Sequence, residues 1–221
     1  MHIVKNYSII IKIYKANKIW EGFKINYEFF SKKRILFSRV IALIFIIVLL
    51  GRKPDVTNEI LFVIFSMIGL ILTGVGALGR VWASMYIYGY KTKKLINEGP
   101  YSVVRNPLYC FSFIGAVGLA IASMNLLFLI LLIVAYLTYY PLVVRSEEEG
   151  LKKALGEDYL NYIKTVPRFI PKFSLFKLPE VYDVNAKKNV RAFVDAIWFF
   201  VAYGVITVLA IMHLKNIIPV F

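Results

Sequence analysis

Three consecutive carboxylates, Glu147, Glu148 and Glu149, stand just beyond Arg145 and Ser146 at the end of residues 106–144, the longest uncharged stretch of the chain. A carboxylate at the edge of an apolar segment is costly to keep ionised, so its presence calls for a cation, a hydroxyl or an amine to meet it. On a helix, Glu148 pairs with Lys152 and Glu149 with Lys153 at i, i+4, the favourable Glu-before-Lys order, and both read as solvated pairs. Glu147 shares its stripe with Leu151 and Leu155 instead, which makes it the carboxylate expected at a binding site, with Arg145 able to neutralise it from an adjacent turn. A second block, GPYSVVRNPLYC at residues 99–110, stands before the same uncharged stretch. Pro100 and Pro107 interrupt regular structure and bias the residues before them toward extended geometry, which frees backbone N–H and C=O groups beside Tyr101 and Tyr109. Such a loop can stack a flat ring and bond its polar edge. The alternative is an interfacial loop whose tyrosines serve the aromatic belt and whose Arg105 is a topology charge.

Other chemistries lack the residues they need. His2 and His213 are far apart, the single Cys110 cannot form an internal disulfide, and no HExxH, CxxC or EF-hand spacing is present, so no metal site is expected. Gly74-Val75-Gly76 is a GxG inside an apolar run and does not follow a strand, which removes the dinucleotide-binding reading.

The elements that must position the two blocks are membrane spans. With 59% hydrophobic and 18% charged residues, the chain is too apolar for an ordinary soluble domain. Residues 60–79 are twenty positions without a charge, enough to cross a hydrocarbon core of about 30 Å. Residues 106–144 are long enough for two crossings, divided at Ser123-Met124-Asn125 into a helical hairpin. Residues 196–214 form another span. Residues 35–50 form a shorter one, with Arg39 near an end where it can snorkel. The expectation is an all-α polytopic protein with about five transmembrane helices. Gly69, Thr73 and Gly76 share a helix face at i, i+4 and i+7, a surface for close helix packing.

The net charge of +14 is distributed as a topology signal. Nine Lys and Arg lie in residues 1–39, five in 79–109 and ten in 145–195, whereas the segments on the other side of five spans carry two, none and one. This places the N-terminus and both blocks in the cytosol and the C-terminus on the opposite side; no nucleic-acid motif accompanies the basic excess. No cleavable signal peptide is expected, because Lys5, Lys12, Lys15 and Lys18 interrupt the first apolar region. Those lysines fall on one side of a helical projection, so residues 1–34 read as a basic segment that either lies in the headgroup layer or is flexible, followed by a membrane domain over 35–221.

The pattern GPYxxxRxPxY, followed after one helical hairpin by EExxLxxxLGxxYxxYxxxVPRFIP, resembles the integral membrane methyltransferases related to isoprenylcysteine carboxyl methyltransferase and the phospholipid methyltransferases, over roughly residues 79–171. The resemblance implies a cytosolic site for S-adenosylmethionine and a lipophilic acceptor arriving from the bilayer. It implies cofactor contacts at Leu95, Ile96, Tyr101, Asn106, Pro107, Leu108, Tyr109, Glu147 and Glu148, with Arg105, Arg145 and Arg168 as the cations available to an acceptor. Asn106 stands where the family usually has His, which keeps hydrogen bonding but not proton transfer, and Phe111 stands where a Gly is common. No catalytic base is assigned. In the prenylcysteine enzymes an Arg four residues before the first matched Glu meets the acceptor carboxylate; Val143 occupies that place, which argues for another acceptor, an amine phospholipid or a different small membrane-dissolved molecule. Two other classes stay open: an NADPH-dependent membrane sterol reductase, which carries a related Pro-x-Tyr block, and a non-catalytic membrane scaffold.

Overall fold

The computed structural model describes residues 27–90 and 92–219, with side chains from Leu36 onward; of the interfacial or flexible segment expected over residues 1–34, residues 1–26 lie outside the described residues. The described chain is helical, with no strand: α1 (Tyr27–Gly51), α2 (Glu59–Ile87), α3 (Pro100–Val103), α4 (Pro107–Ala122), α5 (Leu126–Thr165), a short 3₁₀ turn (Phe173–Leu175) and α6 (Ala186–Leu214). The helix of the first expected span reaches back to Tyr27, beyond its apolar portion. Three helices, α2, α5 and α6, are long and apolar enough to cross a membrane. The apolar part of α1, Leu36–Gly51, and α4 are shorter.

Local sequence sets the helix ends. Asn58 caps α2 by accepting from the amides of Ile60 and Leu61 at 3.0 and 3.1 Å, Asn125 caps α5 through Phe128, and Asn185 caps α6 through Lys188. Pro107 begins α4, where its missing N–H costs nothing. The break at Ser123-Met124-Asn125 is a tight turn with Met124 at φ 52°.

Glycines decide the packing of α2 on α4. A Cβ on Gly76 would lie 2.4 Å from the Cα of Gly115, and one on Gly118 would lie 2.5 Å from the amide nitrogen of Thr73. The Gly69, Thr73, Gly76 face is thus the surface on which α4 lies, with its own Gly115 and Gly118 answering. Gly79 leaves room for the ring of Phe111, so the large residue at 111 is accommodated by α2. Across α2, Ala77 and Val81 pack on Ala192 and Ala196 of α6, and the Tyr203 hydroxyl donates to the Ser66 carbonyl at 2.9 Å. α1 lies against α5, with the rings of Phe45 and Phe128 at 4.7 Å. Outward-facing Ile60, Met67, Ile71, Leu78, Ile197 and Trp198 are exposed, as a lipid-facing belt requires.

The helices α1, α2, α4, α5 and α6 run alternately, as the antiparallel contacts of α2 with α4 and α6 and of α1 with α5 show, which collects their connections at two ends. At one end the Asp55 amide donates to Met124 O at 2.8 Å, its carboxylate accepts the Leu126 amide at 2.7 Å, and Lys53 Nζ donates to the Asn216 side chain at 2.5 Å. His213, buried on α6, donates from Nε2 to the Leu49 carbonyl of α1 at 3.1 Å. The opposite end gathers residues 88–106 and 145–185, where both sequence blocks lie.

Candidate functional site

The first block folds as a buried single turn. Gly99 adopts φ 56° and ψ −134°, a conformation that side-chain-bearing residues rarely reach, and a Cβ there would meet the Tyr86 ring at 2.3 Å. Pro100 then starts α3, so that Tyr101, Ser102 and Val103 are buried together. The segment following α5 is stitched to this turn: Gly99 N donates to Lys177 O at 2.7 Å, Arg105 N to Pro167 O at 2.9 Å and Lys172 N to Val103 O at 2.9 Å.

The second block is a helix with a break in it. Gly156 interrupts α5 at φ 56° and ψ −131°, and the turns after it carry Tyr159 and Tyr162 back against the first block. Tyr162 donates its hydroxyl to the Tyr101 carbonyl at 2.7 Å, and Tyr159, Tyr162 and Val166 pack with Leu95, Leu151 and Leu155.

Between the blocks lies a narrow, partly enclosed cleft. Of the residues expected to touch a cofactor, Leu95, Ile96, Tyr101, Asn106, Leu108, Tyr109 and Glu147 line it; Pro107 and Glu148 do not. Arg105 also lines it, whereas Arg145 and Arg168 stand outside. Sequence reasoning assigned no role to Thr92, Lys94, Tyr159 and Tyr162, which complete the walls with Ile87, Leu151 and Leu155. The signal was present in part, since Leu151 and Leu155 share the stripe of Glu147 and both tyrosines belong to the GxxYxxY portion of the motif.

Two polar atoms in the cleft wall are buried without a protein partner: the Tyr101 hydroxyl and Asn106 Nδ2. Six other buried side-chain atoms among the described residues also lack a partner; these two are set apart by lining the cleft, where a ligand or water can complete their bonding. Burial holds the Tyr101 phenol well above its ordinary pKa, so it stays protonated and remains a donor.

The expected pairing of the three glutamates is corrected. Glu148 is 1% exposed and is not a solvated partner of Lys152. It accepts from Arg168, with Nη2 2.6 Å from Oε2, and from Arg105, with Nη1 3.5 Å from Oε1. The hydrogen bond from Arg168 to Glu148 holds its guanidinium above the usual pKa. Arg105 further donates to the carbonyls of Val166 and Ile163 at 2.6 and 2.5 Å. Both cations reach Glu148 from outside its helix, which i, i+4 spacing cannot show. Glu149 pairs with Lys152, at 2.6 Å, and not with Lys153. Glu147, half-buried, is the carboxylate in the cleft. Among the described residues no group of three or more His, Cys, Asp and Glu stands close enough to hold a metal ion.

Residues 60–158 match the family model of the phospholipid methyltransferases. The matched segment contains the first block whole and the second as far as Asp158, so the resemblance read from the two blocks holds where the cleft is built. The chain is 31% identical to protein-S-isoprenylcysteine O-methyltransferase B of Arabidopsis thaliana over 35% of this chain and 40% of that protein. It is 28% identical to the nickel-cobalt-cadmium resistance protein NccN of Alcaligenes xylosoxydans xylosoxydans, over 88% of this chain and 91% of that protein. It is 32% identical to the cobalt-zinc-cadmium resistance protein CzcN of Cupriavidus metallidurans, over 60% and 61%. No solved structure matches the chain.

Proposed function

We propose that this protein transfers a methyl group from S-adenosylmethionine to a lipophilic acceptor dissolved in the membrane. The observation that carries the reading is the convergence of residues from both blocks on one cleft whose wall holds two unpartnered buried polar atoms. When bound, S-adenosylmethionine supplies an electrophilic methyl group on sulfur and leaves as a neutral thioether.

The residues of the cleft suit a ligand with an apolar ring, several hydroxyl and amino groups, and charges of both signs. Leu95, Ile96, Leu108, Leu151 and Leu155 exclude water around the ring, while the Tyr101 hydroxyl and Asn106 amide bond its polar edge. The carboxylate of Glu147 accepts from hydroxyl or ammonium groups, and Lys94 answers a carboxylate. A methyl displacement from sulfur depends chiefly on alignment, so a site that holds the donor still and keeps it dry supplies much of the rate. Glu148 serves from behind: by tying Arg105 and Arg168 it fixes the first block against the end of α5.

The cleft end faces the cytosol in this reading. Most of the chain's Lys and Arg lie in the segments at that end or before α1, and the donor is water-soluble.

Calorimetric titration of the purified protein with S-adenosylmethionine and with NADPH tests the proposal, followed by transfer from labelled donor into extracted lipids and into a prenylcysteine analogue. Saturable binding of S-adenosylmethionine alone, with label appearing in lipid, is the expected result. Binding of NADPH alone would replace the reading with a reductase. Turnover restricted to the prenylcysteine analogue would change the acceptor and leave methyl transfer standing.

A further inference from the structure

Adjoining the cleft is an open groove lined by Ser38, Arg39 and Ala42 of α1 and by Tyr139, Tyr140 and Val143 of α5. Tyr109 of α4 lines both the cleft and the groove. Resting on the methyl-transfer reading, we infer that this groove admits the acceptor as a membrane lipid with an anionic headgroup, and that Arg39 is the residue that selects it.

Position gives the first argument. Arg39 lies three residues into the apolar part of α1, which begins at Leu36, and Val143 lies two residues before Arg145, the first charge after the uncharged stretch. The groove therefore sits where the apolar parts of α1 and α5 give way to their charged turns, the height at which lipid headgroups lie. Charge gives the second. Among the described residues Arg39 is the one charged side chain lining the groove, and no ion pair joins it to any of them. Among the described residues, the other polar groups lining the groove are the neutral hydroxyls of Ser38, Tyr109, Tyr139 and Tyr140. Arg39 is exposed at the groove, and a guanidinium at headgroup height with no carboxylate beside it among the described residues is complementary to an anion and repels a cation. Continuity gives the third: an acyl chain lying along α1 and α5 puts its head beside Tyr109, on the far side of which the donor would be held.

The test uses the full-length protein in a neutral maltoside micelle and a dansyl-undecanoate displacement assay. The competitors are dodecanoate, dodecyl phosphate, dodecanol and dodecyltrimethylammonium. Both anionic amphiphiles should displace the probe at lower concentration than the other two. Arg39→Gln should weaken the anionic pair about tenfold or more and leave dodecanol within twofold. Arg39→Lys should retain most of the preference, and Ala42→Trp, which fills the groove, should weaken all four. Calorimetric affinity for S-adenosylmethionine should be unchanged in every variant, which separates this inference from the donor site itself. Equal effects of Arg39→Gln on anionic and neutral competitors, or none on either, would overturn the inference, as would failure of every competitor against the wild-type chain. If S-adenosylmethionine does not bind at all but the anionic preference depends on Arg39, the methyl-transfer reading falls and the groove assignment stands.

Discussion

The Nε of Arg168 stands 3.1 Å from both carboxylate oxygens of Glu148, with Nη2 2.6 Å from Oε2, so a side chain from beyond α5 grips one buried within it. Adjacent carboxylates therefore have different work: Glu148 holds the loops together, while Glu147 faces the cleft.

The two are separable by mutation. Glu148→Gln leaves Arg105 and Arg168 without their anion in a largely buried setting and should cost about 3 to 5 kcal/mol of stability, visible as a large fall in the thermal midpoint in detergent. Glu147→Gln should leave that midpoint nearly unchanged and weaken S-adenosylmethionine about tenfold to a hundredfold. Equal thermal losses at both positions would contradict the division.

Tyr101→Phe removes a hydroxyl that has no protein partner. Stability without ligand should hold or rise, because an unsatisfied buried donor is lost, whereas donor affinity should drop roughly tenfold. Since the phenol's pKa is raised, no titration of binding assignable to this residue is expected near neutral pH. Unchanged affinity would remove Tyr101 from the ligand contacts.

Gly76→Val brings a side chain against the backbone of Gly115 and should destabilise the bundle by at least about 1 to 3 kcal/mol. Gly74→Ala, two residues away, meets nothing within 4 Å and should be neutral or slightly stabilising through helix propensity. Thermal denaturation of the pair in one detergent makes the comparison.

Asp55 is held below its ordinary pKa, chiefly by the Leu126 amide and then by Arg52. A depressed pKa means that the carboxylate's contribution is complete above about pH 4 and is lost as pH falls through the folded-state value. The thermal midpoint should therefore decline on acidification below about pH 4, and Asp55→Asn should start lower and decline less steeply. Parallel curves would exclude the contact as a source of acid sensitivity.

Reporter tags should place the N-terminus and residues 172–185 on one side of the membrane and a tag after Phe221 on the other. Both termini on the same side would mean an even number of crossings, against the alternating run of α1, α2, α4, α5 and α6.

Much of this architecture was legible because it depends on local pattern. The uncharged runs give α2 and the α4–α5 hairpin, and the spacing of Gly69, Thr73 and Gly76 gives the face on which α4 lies. The two blocks stood out through their family resemblance, since prolines and tyrosines beside an apolar run also suit an interfacial loop. What escaped was long-range or conformational. The partners of Glu148 lie 43 and 20 residues away in sequence, so its local Lys152 looked sufficient. Gly156 reads as a mildly unfavourable helix residue, and nothing in LGEDY announces that its backbone leaves the helix and turns Tyr159 and Tyr162 toward the cleft. The groove beside Arg39 needs α1 and α5 as neighbours, an adjacency that periodicity does not encode.

The polar ties between Asp55 and Leu126, Lys53 and Asn216, and His213 and Leu49 all lie at the end remote from the cleft. Rods fastened at one end and loaded at the other behave as levers. A small angular change near those ties is magnified along helices of 25 to 40 residues before it reaches the site. In the proposed reading the width of the acceptor's entrance is therefore set by how far α1 and α5 diverge from the tied end.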